Sequence, residues 1–381
     1  MCAFLVSEAC HRTQRRHSVK MAPLPALRVW LLVSFSAFVT VSLGFGLPAL
    51  LNAATGLLGG PETSVSECVV LSYLLFVLYV AMPRLPRGLV EATGKAVVIT
   101  ACDSGFGLAL AEHLHKLGFT VFAGCLLKDK GGEGAKVLEE LQSERMKVFQ
   151  LDVCSDQQVN RAAQFIRDNL ETSQRGLWAL VNNADMSTFG GVEFTSMDAY
   201  KEVSEVNLWG TIRVTKALLP HIRQAKGRVV NISSSYGRMG NIAQSPVCVS
   251  KYGVEAFSDC LRYEMKSWGV KVSVVEPGNF GAATGILSRD IVAQMADKLW
   301  AEAPPDVRED YGKARFEQTV APIRSQRNSG QKDLSPVLND ITDAVTSKCP
   351  YTRYNPMEPH WWIRVQLMTH LPAALSDLFY F

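Results

Sequence analysis

The chain has 381 residues, of which 48% are hydrophobic and 20% are charged, and its formal net charge is +3. This length allows one large domain or two ordinary ones, and the composition is typical of a packed globular protein with additional apolar segments. The mild positive charge, without a basic stripe interleaved with aromatic residues, argues against nucleic-acid binding. The nine cysteines lack metal-ligand spacing, so we expect free thiols and no metal site.

Two apolar segments lie within the first ninety residues. Residues 29–51 are long enough to cross a bilayer core, and a shorter apolar segment follows within residues 66–83. Basic residues flank the pair on the outside, which predicts a hairpin with both ends on the cytosolic or matrix side. The arginine-rich, acid-poor start before Met21 leaves a mitochondrial transit peptide as the alternative. We therefore expect residues 1–90 to target or anchor the chain to the mitochondrial inner membrane or the endoplasmic reticulum, with membrane lipid as a partner.

Apolar segments of β type alternate with helical patterns from residue 95 onward. Because these segments are apolar throughout, we expect strands that are covered on both faces, as in a parallel sheet flanked by helices. The predicted strands are residues 95–100, 120–124, 147–153, 177–183, 227–233 and 270–277. The pattern predicts one α/β, doubly wound domain over residues 92–300. Residues 301–381 are predicted to form a C-terminal extension that serves as a substrate cap, a membrane interface or an oligomer contact.

The turn after the first predicted strand contains Gly105 and Gly107 at the start of a helix. Glycines at such a turn let the backbone approach a pyrophosphate, while the helix N-terminus supplies N–H donors and a partial positive charge. Asp152 ends the third strand and is placed either to accept a hydrogen bond from an adenine amino group or to serve as a surface turn carboxylate. These features predict a dinucleotide site.

Six motifs occur in an order and spacing that resembles the short-chain dehydrogenases/reductases. They are TACDSGFG, NNAD, EVNLWGT, NISSS, VCVSK and EPGNF. Over residues 95–381 the chain most resembles the D-3-hydroxybutyrate dehydrogenases of this family, beside the retinol and 11β/17β-hydroxysteroid dehydrogenases. The resemblance implies a Rossmann-type fold and a homo-dimer or homo-tetramer. It also implies NAD-dependent interconversion of a secondary alcohol and a ketone, with a small hydroxy acid or a lipophilic alcohol as substrate.

The resemblance also implies which residues bind the cofactor. They are Thr100, Ala101, Ser104, Gly105, Gly107, Asp152, Asn183, Ala184, Asp185, Lys251, Pro277 and Gly278. Ser104 occupies the position where NADP enzymes of the family commonly carry a basic residue. The second strand ends AGCLLKD, with neither a well-placed acid nor an arginine. NAD is therefore favoured over NADP, mainly by the resemblance.

Catalysis in this family uses a tyrosine phenol that exchanges a proton with the substrate oxygen. The resemblance assigns three supporting roles: Lys251 lowers the pKa of that tyrosine and holds the nicotinamide ribose, Ser234 hydrogen-bonds the substrate oxygen, and Asn207 holds a water that links the lysine to solvent. The tyrosine position, four residues before Lys251, is Val247. An isopropyl group cannot transfer a proton, and losing a general acid–base costs about a hundred- to ten-thousand-fold in rate.

Two further departures from the family pattern fall on the cofactor site. Ala101 replaces a glycine at a turn where φ is expected to be positive, and its Cβ lies where the backbone nears the cofactor. Asp185 replaces another glycine and adds bulk and a negative charge beside the adenosine ribose and near the pyrophosphate. Charge repulsion and a steric clash are expected to weaken dinucleotide binding by about a few kcal/mol if no cation compensates. The three departures predict a severely impaired enzyme. The alternative is an active dehydrogenase that uses Tyr236, two residues after Ser234, because Tyr252 points to another side of its helix.

Overall fold

The structure is a computed structural model that describes residues 46–59, 88–170, 176–284, 289–326 and 330–380, together with a few isolated positions before residue 73. It divides into two units, Met1–Pro86 and Arg87–Phe381. The described part of the first unit contains helix α1 (Leu47–Leu57). Among the described residues, every helix is too short or too polar to cross a membrane. The two predicted membrane segments, 29–51 and 66–83, lie largely outside the described residues.

The second unit is built on a seven-stranded sheet. Its strands are β1 (Ala96–Ile99), β2 (Thr120–Cys125), β3 (Met146–Gln150), β4 (Ala179–Asn182), β5 (Arg228–Ile232), β6 (Lys271–Val275) and β7 (Arg353–Tyr354). The order across the sheet is β3-β2-β1-β4-β5-β6-β7, and all neighbours pair in parallel. Strands β1 to β3 are added toward one edge of the sheet and β4 to β7 toward the other, so the strand order reverses between β1 and β4. Open α/β sheets bind ligands at such a switch point.

Helices cover both faces of this sheet. They are α2 (Gly105–Lys116), α3 (Glu133–Glu139), α4 (Asp156–Asn169), α5 (Met197–Ser204), α6 (Thr211–Gln224), α7 (Ser245–Met265), α8 (Gly281–Thr284), α9 (Arg289–Glu302), α10 (Pro305–Gln326), α11 (Ser335–Thr346), α12 (Pro359–His370) and α13 (Ala373–Tyr380). In β1, Val97 and Ile99 pack with α2 and α11, whereas Ala96 and Val98 pack with α4 and α6. Successive side chains point to opposite faces, and both faces are buried, which is why the strands are apolar throughout.

The six strands predicted from the sequence are confirmed as β1 to β6, each within three residues at either end. The sequence analysis missed β7, which lies inside the predicted C-terminal extension. This strand pairs with Val274 and Val275 of β6, and α11 just before it packs against the sheet. Part of the predicted extension therefore belongs to the sheet. A two-residue strand shows no periodicity, so its pattern gave no signal.

The remaining helices of the C-terminal segment pack beside two loops of the sheet. Trp300 of α9 and Phe316 of α10 pack against Phe194, in the loop region after β4. Val365 of α12 packs against Met239, which follows β5. Both clusters thus adjoin loops that leave the carboxyl ends of central strands.

Candidate active site

The carboxyl ends of β1 and β4 are joined by hydrogen bonds among predicted cofactor-binding residues. The Thr100 hydroxyl accepts from the backbone N–H of Asn183 and of Ala184, each at 2.9 Å. The Asn183 side-chain amide donates to the carbonyl oxygens of Thr100 at 3.1 Å and of Ala101 at 3.2 Å. These four residues therefore form one wall at the switch point of the sheet.

The two glycines after β1 serve different purposes. Gly105 begins α2 with a φ of 56°, a left-handed conformation that favours glycine. A Cβ on Gly107 would overlap the Ala101 carbonyl oxygen and lie 2.7 Å from Asn183 Nδ2, so only glycine lets α2 pack this closely on the strand end. The first N–H groups of α2 have no intrahelical partners, and Ser104 just before them is exposed. The turn therefore retains the form of a pyrophosphate-binding loop.

The expected positive φ at Ala101 is confirmed. Its φ is 55°, in the left-handed region. An alanine in this region costs roughly 1–2 kcal/mol, because its Cβ approaches the following carbonyl oxygen. The turn thus keeps the shape for which the family uses glycine, at a cost in stability.

Helix α7 carries both the lysine and the position of the missing tyrosine. It begins at Ser245, so Val247 and Lys251 lie one turn apart on the same side of the helix. Both side chains are buried. Val247 therefore presents a hydrocarbon where the family has its proton carrier.

Lys251 and Asp185 form an ion pair. Lys251 Nζ lies 2.8 Å from Asp185 Oδ1, with 2% of the lysine side chain and 31% of the aspartate side chain exposed. Lys251 Nζ also donates to the carbonyl oxygen of Ile232 at 3.2 Å. The sequence leaves open whether a cation compensates the charge of Asp185, and the structure supplies one, Lys251. The expected place of Asp185 is beside the adenosine ribose, but its carboxylate pairs with the lysine expected at the nicotinamide ribose. A buried ammonium requires such a partner, and the pairing engages the group that would hold the nicotinamide ribose.

Ser234 and Asn207 occupy positions with local structural bonds. Ser234 precedes a short 3₁₀ turn (Ser235–Gly237), and its hydroxyl accepts from the N–H of Tyr236 at 3.2 Å. Asn207 is buried in a π-helical turn, where its side chain exchanges two hydrogen bonds with the backbone of Met186. π-helical turns are often found at functional sites. The roles of Ser234 toward the substrate and of Asn207 toward a water stay predictions.

Tyr236 is held by neighbours other than Lys251. Its hydroxyl accepts from the Asn241 side-chain amide at 3.1 Å, and Asn241 Oδ1 in turn accepts from the Tyr380 hydroxyl at 2.8 Å. Burial raises the pKa of Tyr236 above its ordinary value, so the phenol is a poor base at neutral pH. Tyr252 is exposed, on another side of α7.

Asp152, Pro277 and Gly278 have partners of their own. Asp152 Oδ1 accepts from Cys154 N at 2.9 Å, the local bond of a turn carboxylate. The Pro277 carbonyl accepts from Ser235 N at 3.0 Å, and Gly278 N donates at 3.2 Å to a carbonyl just after β7. The segment after β6 is thereby joined to the serine turn, whereas contact between Asp152 and an adenine stays a prediction.

A largely buried charge network that the sequence did not predict lies one helical turn from Lys251. Arg353 of β7 bonds Glu255 of α7, one turn beyond the lysine, and Glu276 after β6, the latter at 2.6 Å. Burial, and next the charge of Glu276, raises the pKa of Glu255. These residues lie far apart in the sequence, so spacing gave no signal. The network ties α7 to the sheet edge.

The comparisons with known proteins agree with this geometry. Residues 95–290 match the short chain dehydrogenase family. The mitochondrial D-beta-hydroxybutyrate dehydrogenase of Bos taurus is 60% identical over 287 residues, which cover 75% of this chain and 83% of that protein. The chain belongs to the short-chain dehydrogenases/reductases. The rat protein of the same name is 58% identical over 76% of this chain and 84% of its own length, and mouse retinol dehydrogenase 7 is 40% identical over 68% and 80%.

Solved structures of the family share this fold. A short-chain dehydrogenase from Streptomyces avermitilis aligns with a TM-score of 0.58 and 24% identity, covering 75% of this chain and 95% of that one. A family member from Burkholderia phymatum, solved in complex with NAD, aligns with a TM-score of 0.57 and 21% identity, covering 73% and 94%. At these identities the likeness shows the fold alone.

The two halves of a dinucleotide fit these residues unequally. The turn at Gly105 and the start of α2 suit an adenosine diphosphate, because backbone donors and an open turn are what a pyrophosphate needs. The nicotinamide ribose would need the Lys251 ammonium, which Asp185 already binds. The residues expected at the first half thus have the form that the family pattern predicts, whereas Val247 and Asp185, expected at the second half, differ from that pattern.

Proposed function

We propose that this short-chain dehydrogenase is severely impaired in its family reaction, the NAD-dependent interconversion of a secondary alcohol and a ketone. The observation that carries the proposal is the ion pair between Lys251 and Asp185, one helical turn from Val247. The lysine that should assist a tyrosine instead neutralises a carboxylate, and the tyrosine position holds a hydrocarbon. The names of the relatives support a small hydroxy acid of the 3-hydroxybutyrate type as the ancestral substrate.

The proposed defect lies in proton transfer. A bound NAD would supply the hydride acceptor for the alcohol carbon in the family reaction. Ser234 would hydrogen-bond the substrate oxygen, and oxidation of the alcohol requires a base to accept the proton of that oxygen. Val247 cannot accept it, so the rate is expected to be about a hundred- to ten-thousand-fold below that of a complete site.

We further propose NAD as the cofactor, bound weakly because its nicotinamide half meets the Lys251–Asp185 pair. Membership of the short-chain dehydrogenases supports a nicotinamide dinucleotide, and the resemblance, together with Ser104 at the position that is basic in NADP enzymes, favours NAD over NADP. The mitochondrial names of the relatives support a mitochondrial location. Membrane association, a homo-dimer or homo-tetramer, and the boundaries 1–90, 92–300 and 301–381 stay proposals from the sequence.

An active dehydrogenase that uses Tyr236 is the second candidate. The observation that favours it is that the Tyr236 hydroxyl accepts from Asn241, which leaves its own hydrogen for another acceptor, on the turn that begins after Ser234. Its raised pKa and the engagement of Lys251 by Asp185 weigh against it.

Restoration of the missing groups tests the proposal. NADH formation from D-3-hydroxybutyrate and from hydroxysteroids and retinol is measured with the full chain. We expect background rates for the native chain. The combined variant Val247→Tyr, Ala101→Gly, Asp185→Gly should gain at least about a hundredfold with at least one of these alcohols, because the tyrosine both transfers the proton and gives Lys251 a polar neighbour.

Two single changes serve as controls. Ser234→Ala in the combined variant should remove the gain. Tyr236→Phe in the native chain should change nothing. A native rate that Tyr236→Phe abolishes selects the second candidate, and a folded combined variant without any gain shows that the three departures do not cause the impairment.

A further inference from the structure

An acidic side chain in the turn after β1 bridges this turn to the loop after β2. Asp103 Oδ2 accepts from Leu126 N at 2.7 Å, and Asp103 Oδ1 accepts from Leu127 N at 2.9 Å. These two leucines follow Cys125, the last residue of β2. The carboxylate therefore sits between the pyrophosphate-binding turn and the end of the second strand.

The backbone of the loop after β2 is closed on itself. Gln150 accepts from Asp129 N at 3.0 Å and donates to the Leu126 carbonyl at 2.7 Å. The N–H groups of residues 130, 131 and 132 donate to carbonyl oxygens within the same loop. Together with the two bonds to Asp103, these contacts engage six backbone N–H groups of residues 126–132, which are then less available to a bound phosphate.

In Rossmann-type sites the end of the second strand distinguishes NAD from NADP. An acid there accepts from the 2′-hydroxyl of the adenosine ribose, and an arginine there accommodates the 2′-phosphate of NADP. In this chain the corresponding positions, Leu126 and Leu127, are apolar. No acid is well placed on the second strand itself, whereas Asp103 comes from the turn after the first strand.

We propose that Asp103, which comes from the turn after the first strand, selects NAD against NADP in this chain. A carboxylate offers about four lone-pair sites, and two of them receive the leucine N–H groups. The others suit a ribose hydroxyl, while the negative charge repels a 2′-phosphate. The inference rests on the proposed dinucleotide site but concerns its adenosine half, away from Lys251.

The charge of Asp103 acts on its surroundings. Burial, and next the charge of Asp103, raises the pKa of the Cys125 thiol to about 12. Lys128, Lys130 and Lys136 follow in the next segment, and their positive charges would attract a 2′-phosphate. One of them, Lys128, lies 3.7 Å from Glu139, an exposed ion pair that contributes little. We expect the effect of the Asp103 carboxylate to prevail over theirs.

Two ligands that lack the nicotinamide ribose isolate this effect. They are 5′-ADP and its 2′-phosphorylated form, and their dissociation constants are measured by calorimetry on the full chain. We expect 5′-ADP to bind at least about tenfold more tightly, because a carboxylate faces the added phosphate. Asp103→Ser should lower this ratio at least about tenfold, since it removes the charge and frees two N–H donors.

Two variants make the result specific. Asp103→Asn removes the charge with little change of shape, and it should also lower the ratio. This variant tests the inference if Asp103→Ser does not fold stably. Asp129→Asn removes an exposed carboxylate of the same loop and should leave the ratio within about twofold. A native preference for the 2′-phosphorylated ligand, or a ratio unchanged in folded Asp103→Asn, overturns the inference. Since neither ligand reaches Lys251, these outcomes are independent of the turnover measurements.

Discussion

The adenosine half and the nicotinamide half of the dinucleotide site depart from the family in different ways. The adenosine half depends on backbone shape, and there Ala101 adopts the positive φ that the turn requires. The nicotinamide half depends on side-chain chemistry, and there Val247 stands at the tyrosine position and Asp185 pairs with Lys251.

Under the proposed function, this difference is the way in which a fold would retain its shape while losing a reaction. A backbone turn accepts alanine at a cost of roughly 1–2 kcal/mol and keeps its form. Proton transfer does not tolerate a substitution in this graded way. A side chain without an ionisable group cannot transfer a proton at all. The pairing of Lys251 with Asp185 neutralises a buried ammonium, so we expect it to stabilise this half.

The largest expected effect on stability is at that ion pair. Asp185→Ala should lower the free energy of unfolding by about 3–5 kcal/mol, because it leaves Lys251 buried without a counterion. Urea denaturation measures the change. Lys201→Ala, which removes an exposed pair with Asp198, should cost less than about 1 kcal/mol.

The double variant Asp185→Ala, Lys251→Met completes this test. It should recover most of the loss, because neither charge then remains in the interior. If Asp185→Ala costs no more than Lys201→Ala, the ion pair does not hold the nicotinamide half together.

The second largest expected effect on stability is at Gly107, in the adenosine half. Gly107→Ala should lower the free energy of unfolding by about 1–3 kcal/mol, because its Cβ would overlap the Ala101 carbonyl and crowd Asn183. Gly240→Ala is the matched control, since a Cβ there would meet nothing within 4 Å. Equal losses in the two variants, measured by urea denaturation, would contradict the close packing of α2 on the strand end.

The free energy of unfolding should depend on pH through Glu255, which lies in the charge network one helical turn from Lys251. Burial and Glu276 raise the pKa of Glu255 above its ordinary value of 4.5, so the folded chain holds this proton more tightly than the unfolded chain. The native chain should therefore lose stability relative to Glu255→Gln as the pH rises from 4.5 through the folded-state pKa. Urea denaturation in steps of pH, with the exposed Asp198→Asn as control, measures this; a difference that stays constant with pH argues against it.

The smallest expected effect is at the strained turn. Ala101→Gly should raise the free energy of unfolding by about 0.5–1 kcal/mol, the relief of the positive φ less the greater freedom of glycine in the unfolded chain. Ala163→Gly, inside α4, should instead lower it by about 0.5–1 kcal/mol. Thermal denaturation measures the melting temperatures of both variants. A change of the same sign in the two would contradict strain at Ala101.

Much of the fold and part of the site could be predicted from the chain alone. The central strands are buried on both faces, so each is a continuous apolar segment that pattern analysis detects. Ala101 could be read as strained because its place in the turn sets its φ. The short strand β7 and the network around Arg353 could not be read, because each depends on residues that meet only after folding.

The sequence by itself determined the family, the order of the central strands along the chain and the absence of a phenol at position 247, since each follows from residue type and local spacing. Only the tertiary structure decided the partners of Asp185 and Asp103. The first neutralises Lys251, and the second closes the loop after β2. Electrostatic interactions depend on distance in space and on burial, and neither can be read from positions along a chain.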